Sequence, residues 1–372
     1  MGPSHSPLRP VTSPPSSEFS LSKYRVCASF CHKNTSNWIE SYDPSNNTWS
    51  HLSPIPGLLS NHVLKDFVMV SLADSIYIIG GRLCQKERSP LKSNDDFEEL
   101  NDVGVEVRSS VLRYNVLLNE WFHCAPMKMP RYYFACTTWE NKIYVAGGKS
   151  NLASARGTST AEVYDPILDV WTPLPSMSTL RYKCAGVTFQ GKIHVVGGFA
   201  VRVDSNKTEP FIMERSSAEV YDVQAGKWDL LARMWQLDIP PNQIVALGGR
   251  LFSSGDCLKA WKGHIEAYDG RLNMWDVVDG SHLQTLNSAI STSDANSENW
   301  SPRQRLYLTM APIGTHLYFL AGYRMAGELS RTISMVHIFD TLARSDAWRS
   351  FEPVEEDGEK ELCSHCCVVQ IS

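Results

Sequence analysis

The residue types most capable of chemistry are thiols and imidazoles at the two ends of the 372-residue chain. Cys27, Cys31 and His32 lie near the start, and Cys363, His365, Cys366 and Cys367 near the finish. Four such ligands, usually supplied as two closely spaced pairs, make a structural zinc site. That reading needs the chain ends to meet, and it faces an objection. Side chains alternate faces along a strand, so the neighbours Cys366 and Cys367 cannot serve one ion. Small buried thiols in a core are the competing reading, which also suits Cys136 and Cys184. Neither metal nor cofactor is expected. The chain has no G-x-S-x-G nucleophile elbow, no phosphate loop and no dinucleotide fingerprint.

The elements that must position any site belong to a turn-rich, core-forming chain. It is 43% hydrophobic and 20% charged, with 23 Gly, 20 Pro and 11 Trp. Lys and Arg number 35 against 40 Asp and Glu, a net charge of -5 without a basic half. That balance argues against nucleic acid or an anionic membrane as the main partner. No run approaches the ~20 apolar residues of a membrane span. The opening MGPSHSPLRPVTSPPSSEFS lacks the apolar core of a secretory signal. Gly2 and Ser6 have myristoylation spacing, but Pro3 and Pro7 make the stretch stiff. Ten cysteines without such a signal point to a reducing compartment, cytoplasmic or nuclear.

An internal repeat decides the fold class. An aromatic followed seven residues later by Trp occurs at Tyr42/Trp49, Tyr114/Trp121, Tyr164/Trp171, Tyr221/Trp228 and Tyr268/Trp275, and Phe339/Trp348 is a sixth with two extra residues. Four of these read Glu-x-Tyr-Asp, from Glu40, Glu162, Glu219 and Glu266. Apolar runs ending in small residues precede five of them: IYIIGG (76–81), IYVAGG (143–148), IHVVGG (193–198), LFSSGD (251–256) and LYFLAG (317–322). Arg131, Arg181 and Arg305 each stand sixteen residues before the first small residue of their run. Each unit therefore reads as four short strands joined by turns. The tryptophans, repeated at one position, are expected to lock unit to unit. His194 stands where Tyr77, Tyr144, Phe252 and Tyr318 stand in sister units, so it reads as scaffold.

The double-Gly, Tyr and Trp signature resembles the kelch repeat, and the wording ESYDPSNNTWSHLSPIPG looks like the propeller half of plant F-box/kelch proteins. The resemblance implies an all-β, six-bladed kelch β-propeller with four-stranded blades. Residues 23–57 hold only the later part of a unit, and CSHCCVVQIS (363–372) reads as an isolated first strand. The C-terminal strand is therefore expected to complete blade one and close the ring, removing two sheet edges. The expected divisions are a disordered Pro/Ser-rich tail (1–22) and a propeller (23–372). Its blades are 23–57 plus 361–372, 62–127, 131–176, 181–235, 239–282 and 305–353. Insertions at 82–106 and 279–303 are candidate functional loops.

In kelch proteins the blade-entry and post-glycine loops gather at one mouth of the channel. Here the entry positions hold Arg131, Tyr133, Arg181, Lys183, Arg305 and Tyr307, and the post-glycine positions hold Arg82, Lys149, Phe199, Tyr323 and Arg324. Arg and aromatic residues are the composition of protein-binding hot spots. A competing reading has Arg131, Arg181 and Arg305 pairing with blade acids to hold the ring. The expected function is a non-catalytic protein-recognition module, a monomeric propeller with protein partners. The family resemblance extends this to substrate recognition beside ubiquitin-ligase components. Residues 1–22 are too short for a helical F-box, and no BTB-like region is visible. The alternative is a metal-dependent enzyme or specifier protein on the same scaffold.

Overall fold

A computed structural model describes residues 20–32, 36–59, 61–88, 100–203, 211–237, 239–255, 265–279, 304–324, 331–343, 347–351, 354–357 and 360–371. Residues 1–19 of the expected tail, 89–99 of the 82–106 insertion and 280–303 of the 279–303 insertion lie outside these residues. The described residues are overwhelmingly strand, with one short 3-10 turn at Leu21–Lys23. None of their helices is long and apolar enough to cross a membrane.

Six antiparallel sheets carry the repeat. The third, a regular example, runs Ala135–Trp139, Lys142–Ala146, Ala161–Asp165 and Val170–Leu174 in spatial order. In the first sheet the C-terminal strand Glu361–Gln370 pairs with Tyr24–Cys31, followed by Trp38–Asp43 and Thr48–Pro54. The two ends of the chain thus share one sheet. The leading strands of the six sheets touch in a cyclic order. Glu361–Gln370 meets Val68–Leu72, then come Ala135–Trp139, Ala185–Phe189, Ile244–Leu247 and Gln304–Ile313, which returns to Glu361–Gln370.

The sixth sheet departs from the four-strand expectation. Its third strand, Arg331–Asp340, is ten residues long and pairs over different halves with Trp348–Ser350 and with a fifth strand, Val354–Asp357. Two small three-stranded sheets are also present. The 82–106 insertion contributes Arg82–Arg88 and Leu100–Val107, which form a hairpin arm on His62–Lys65. Phe199–Val203 pairs in the same way with Leu180–Tyr182 and Phe211–Met213.

The repeated aromatics explain themselves in the register. All six pairs are directly opposed across the outer hairpin, with ring centroids 4.9–5.3 Å apart. The hairpin needs a left-handed residue two before Trp, and Asn47, Asn119, Asp169, Asn273 and Gly226 supply it. Where that residue has a side-chain oxygen, it accepts the Tyr hydroxyl. Tyr42, Tyr114, Tyr164 and Tyr268 donate at 2.9, 2.7, 2.6 and 2.8 Å. The indole N–H groups of Trp121, Trp171, Trp228 and Trp275 reach Ser53 Oγ and the carbonyls of Ala125, Pro175 and Met234. Ser53 lies in the last strand of the preceding sheet and the other three acceptors in segments that leave theirs, so these indoles join neighbouring sheets. Trp171, Trp275 and Trp348 are buried, whereas Trp49, Trp121 and Trp228 are half-buried.

Candidate protein-binding face

The candidate face is built where the chain enters the leading strands of the second, third and fourth sheets. Asp66, Tyr133 and Lys183 occupy equivalent places there, with φ of 56°, 55° and 53°. Non-glycine residues adopt this left-handed conformation at some strain, and the surroundings must hold it. A backbone ladder does so: Tyr133 N–H donates to Asp66 O at 3.3 Å, and Lys183 N–H to Tyr133 O at 2.7 Å. The glycine pairs make room for it. A Cβ on Gly148 (φ +89°) would lie 2.7 Å from Phe134 Cβ and 2.8 Å from Tyr132 O.

The side chains of these three residues form a row with the post-glycine residues. Arg82 pairs with Asp66 and stands 5.8 Å from the ring centres of both Tyr132 and Tyr133. Lys183 Nζ lies 4.7 Å above the Tyr133 ring, and Lys149 Nζ 4.2 Å above Tyr182. Tyr182 stacks on Phe199 at 5.1 Å, and Arg215 covers Phe199 at 5.1 Å. Cation–π contacts of this kind strengthen as water is removed. Burial pushes the Asp66 carboxyl up against the pull of Arg82. Burial, then the Asp66 charge, pushes the Tyr133 phenol up to about 12. Burial and the neighbouring Lys183 charge hold Lys149 below the ordinary lysine range. Among the described residues no carboxylate pairs with Lys149 or Lys183.

Five predicted residues, Arg82, Tyr133, Lys149, Lys183 and Phe199, are therefore brought together. Three others belong to the interior. Arg131 and Arg181 are fully buried, not on the open face. Arg131 donates to Gly147 O, Thr160 O, Thr160 Oγ1 and Glu162 Oε1 at 2.8–3.0 Å. Arg181 donates to Thr179 Oγ1, Gly197 O, Ser217 O and Ser217 Oγ at 2.6–3.0 Å. Each guanidinium satisfies the carbonyl of the first glycine of its pair, which is why the spacing of sixteen recurs. Tyr307 is also buried, its ring lying over Gly322 and its hydroxyl 2.7 Å from Ser334 Oγ.

The reason for Tyr307 is local. Ala321-Gly322 makes no left-handed turn, so His316–Arg324 runs on as one strand against Gln304–Ile313. Arg305 is placed opposite Tyr323 by its backbone, and the half-buried Tyr323 and Arg324 sit in that same ladder. Sequence reasoning missed Arg215 and Tyr182 on the face, and the buried Tyr132 beside Arg82. It also missed the role of the repeated Glu, although the Glu-x-Tyr-Asp pattern was its signal. Glu219 Oε1 accepts from Ser178 Oγ, Thr179 N–H and Thr179 Oγ1, and Glu162 from Lys128 N–H, anchoring each entry segment.

The terminal thiols divide as strand alternation demands. Cys27, Cys31, Cys363 and Cys367 share one apolar cluster, while Cys366 faces another. Among the described residues no three His, Cys, Asp or Glu groups are placed to hold a metal. His194 is buried, its Nδ1 3.2 Å from Lys192 O, and burial lowers its pKa.

The described fold agrees with what the chain resembles. A model of the Kelch motif matches residues 130–178, which take in Arg131, Tyr133 and Lys149. An F-box/kelch-repeat protein of Arabidopsis thaliana is 31% identical over 133 residues, 36% of this chain and 32% of its own length. SKIP30, an F-box/kelch-repeat protein of the same plant, is 30% identical over 148 residues, 40% of this chain and 38% of its own. Kelch-like protein 21 of Danio rerio is 24% identical over 306 residues, 72% of this chain and 40% of its own. In each case the chain spans well under half of the relative's length. Sheets, repeat and likeness together show a kelch repeat in this chain and make it similar to the plant F-box/kelch-repeat proteins.

Proposed function

We propose that the chain is a non-catalytic protein-recognition module whose partner sits on the row Arg82, Tyr133, Lys149, Lys183, Phe199 and Arg215. The observation that carries this reading is the pair of ammonium groups at Lys149 and Lys183. Each rests on a tyrosine ring, neither has a carboxylate partner among the described residues, and they repel one another. Such an arrangement is relieved when a partner brings negative charge, and the surrounding rings supply apolar contact that excludes water. A partner presenting acidic side chains beside an apolar one fits this face. Likeness to proteins named F-box/kelch-repeat supports a finer reading, selection of substrates for a ubiquitin ligase. The same reading places the protein in the cytoplasm or nucleus.

Affinity purification with two baits tests it, one native and one carrying Lys149→Ala and Lys183→Ala with an unchanged thermal transition. Partners lost from the altered bait, and weakened by salt in the native one, are the expected result. Identical partner lists would overturn the assignment of this face.

A further inference from the structure

Two lysines of the entry face interlock across the boundary between the third and fourth sheets. Lys149 belongs to the third, where its backbone N–H donates to Tyr132 O at 2.9 Å and its carbonyl accepts from Tyr132 N–H at 3.0 Å. Its side chain crosses to the fourth, with Nζ 4.2 Å above the Tyr182 ring. Lys183, the residue after Tyr182, crosses the other way, with Nζ 4.7 Å above the ring of Tyr133. The crossing carries the two ammonium groups toward one another.

A third cation closes the row. From Tyr182 the stack continues to Phe199, 5.1 Å away, and on to the Arg215 guanidinium, 5.1 Å from the Phe199 ring centre. The carboxylate beside it in the chain is taken, because Glu214 pairs with Arg202 at 3.4 Å. Among the described residues no carboxylate pairs with Lys149, Lys183 or Arg215, and Arg215 Nε is buried with no acceptor. A buried donor of this kind costs free energy until an acceptor reaches it. Other lysines near the third and fourth sheets are compensated: Lys142 pairs with Asp165 at 3.0 Å and Lys192 with Asp222 at 2.9 Å.

The charge to be met decides the ligand. A side-chain carboxylate brings one negative charge and two oxygens. A phosphate monoester brings about −1.5 to −2 at neutral pH and three acceptor oxygens, so one group can bridge two ammonium groups. Nucleic acid or an anionic bilayer calls for a broad basic surface, whereas this row is short and the chain carries a net charge of -5. Resting on the partner site proposed above, we infer that the face reads a phosphorylated side chain of a protein, its phosphate held between Lys149 and Lys183. Tyr182, Phe199 and Arg215 then receive the residues that flank it.

The test uses three peptide libraries on the immobilised full chain, with the same degenerate flanks and phosphoserine, glutamate or serine at one fixed position. The phosphoserine library should be held about tenfold more tightly than the glutamate one. Its hold should weaken as pH falls through ~6, where phosphate takes up its second proton, while glutamate stays ionised there. Lys149→Ala with Lys183→Ala, at an unchanged thermal transition, should abolish the preference. Arg215→Ala should weaken binding, and Lys142→Ala should leave it unchanged. Equal hold of phosphoserine and glutamate, lost together in the double lysine variant, would overturn the phosphate and leave the partner site standing. A phosphoserine preference that survives the double variant would overturn both. No library held by the native chain would overturn the inference, as would tighter binding of phosphatidylserine vesicles or single-stranded RNA than of the phosphoserine peptides.

Discussion

The entry face across the second to fourth sheets and the corresponding part of the sixth sheet start from similar sequence and end differently. In the third and fourth sheets a glycine pair turns the chain out, a buried Arg caps the first glycine's carbonyl, and a left-handed residue lifts a side chain onto the face. In the sixth, Ala321-Gly322 continues as strand, and Tyr307 fills the space over Gly322. One small residue without a left-handed turn converts a displayed aromatic into a core aromatic. The face is a product of the turn, and the side-chain identities matter only once the turn exists.

The comparison breaks most completely at the first sheet, where chain ends meet. Deleting residues 361–372 removes the leading strand, its Lys65–Glu361 ion pair and the strand contacts on either side. The expected outcome is loss of a cooperative thermal transition, followed by circular dichroism. Arg131→Ala comes next, since it leaves Glu162 buried without its guanidinium. It should destabilise by about 3–5 kcal/mol in urea melts, whereas the half-buried Arg82→Ala should fall at ~1 kcal/mol or less.

A sharper pair of variants probes the turn itself. Gly148→Ala meets backbone and Cβ atoms at positive φ, while Gly322→Ala meets the Tyr307 ring, 2.1 Å from its Cε1. Both should destabilise, by roughly 1–3 kcal/mol. Adding Tyr307→Ala should return part of the loss at Gly322, and Tyr133→Ala should return none at Gly148. The smallest effect compares two hairpins. Tyr164→Phe loses its bond to Asp169 and should cost about 1 kcal/mol, while Tyr221→Phe, opposite Gly226, should cost close to nothing. The Tyr164 hydroxyl and Ala125 N–H hold Asp169 below the usual carboxylate range. Its contribution is present above the ordinary aspartate pKa and fades as pH falls through the lowered one, so the difference between the two variants should shrink in acid.

Much of this was legible because it is written in side-chain spacing. The Tyr–Trp interval fixes a hairpin, the residue two before Trp must tolerate positive φ, and the incomplete first unit announces the pairing of Tyr24–Cys31 with Glu361–Gln370. The face was half legible. Arg82, Tyr133, Lys149, Lys183 and Phe199 follow from position, but whether Arg131 and Arg181 are displayed or buried depends on carbonyls brought near them by folding. Tyr307 misleads because sixteen residues separate Arg305 from Ala321 just as in the regular units, and spacing does not report the φ of Gly322. The register slip that leaves Cys363 between the pairs Phe30–Leu362 and Ser29–Ser364 is invisible for the same reason: such slips leave no mark on composition or period.

The central claim, that partners are held at the second-to-fourth-sheet entry face, is tested most directly by photo-cross-linking. A benzophenone side chain would be placed at Tyr133, at Tyr323 and at the exposed outer-hairpin residue Leu168. The account predicts cross-linked partner from position 133, abolished by Lys149→Ala with Lys183→Ala, and none from 168 or 323. Equal cross-linking from 168 or 323, or persistence at 133 without the two lysines, would contradict it.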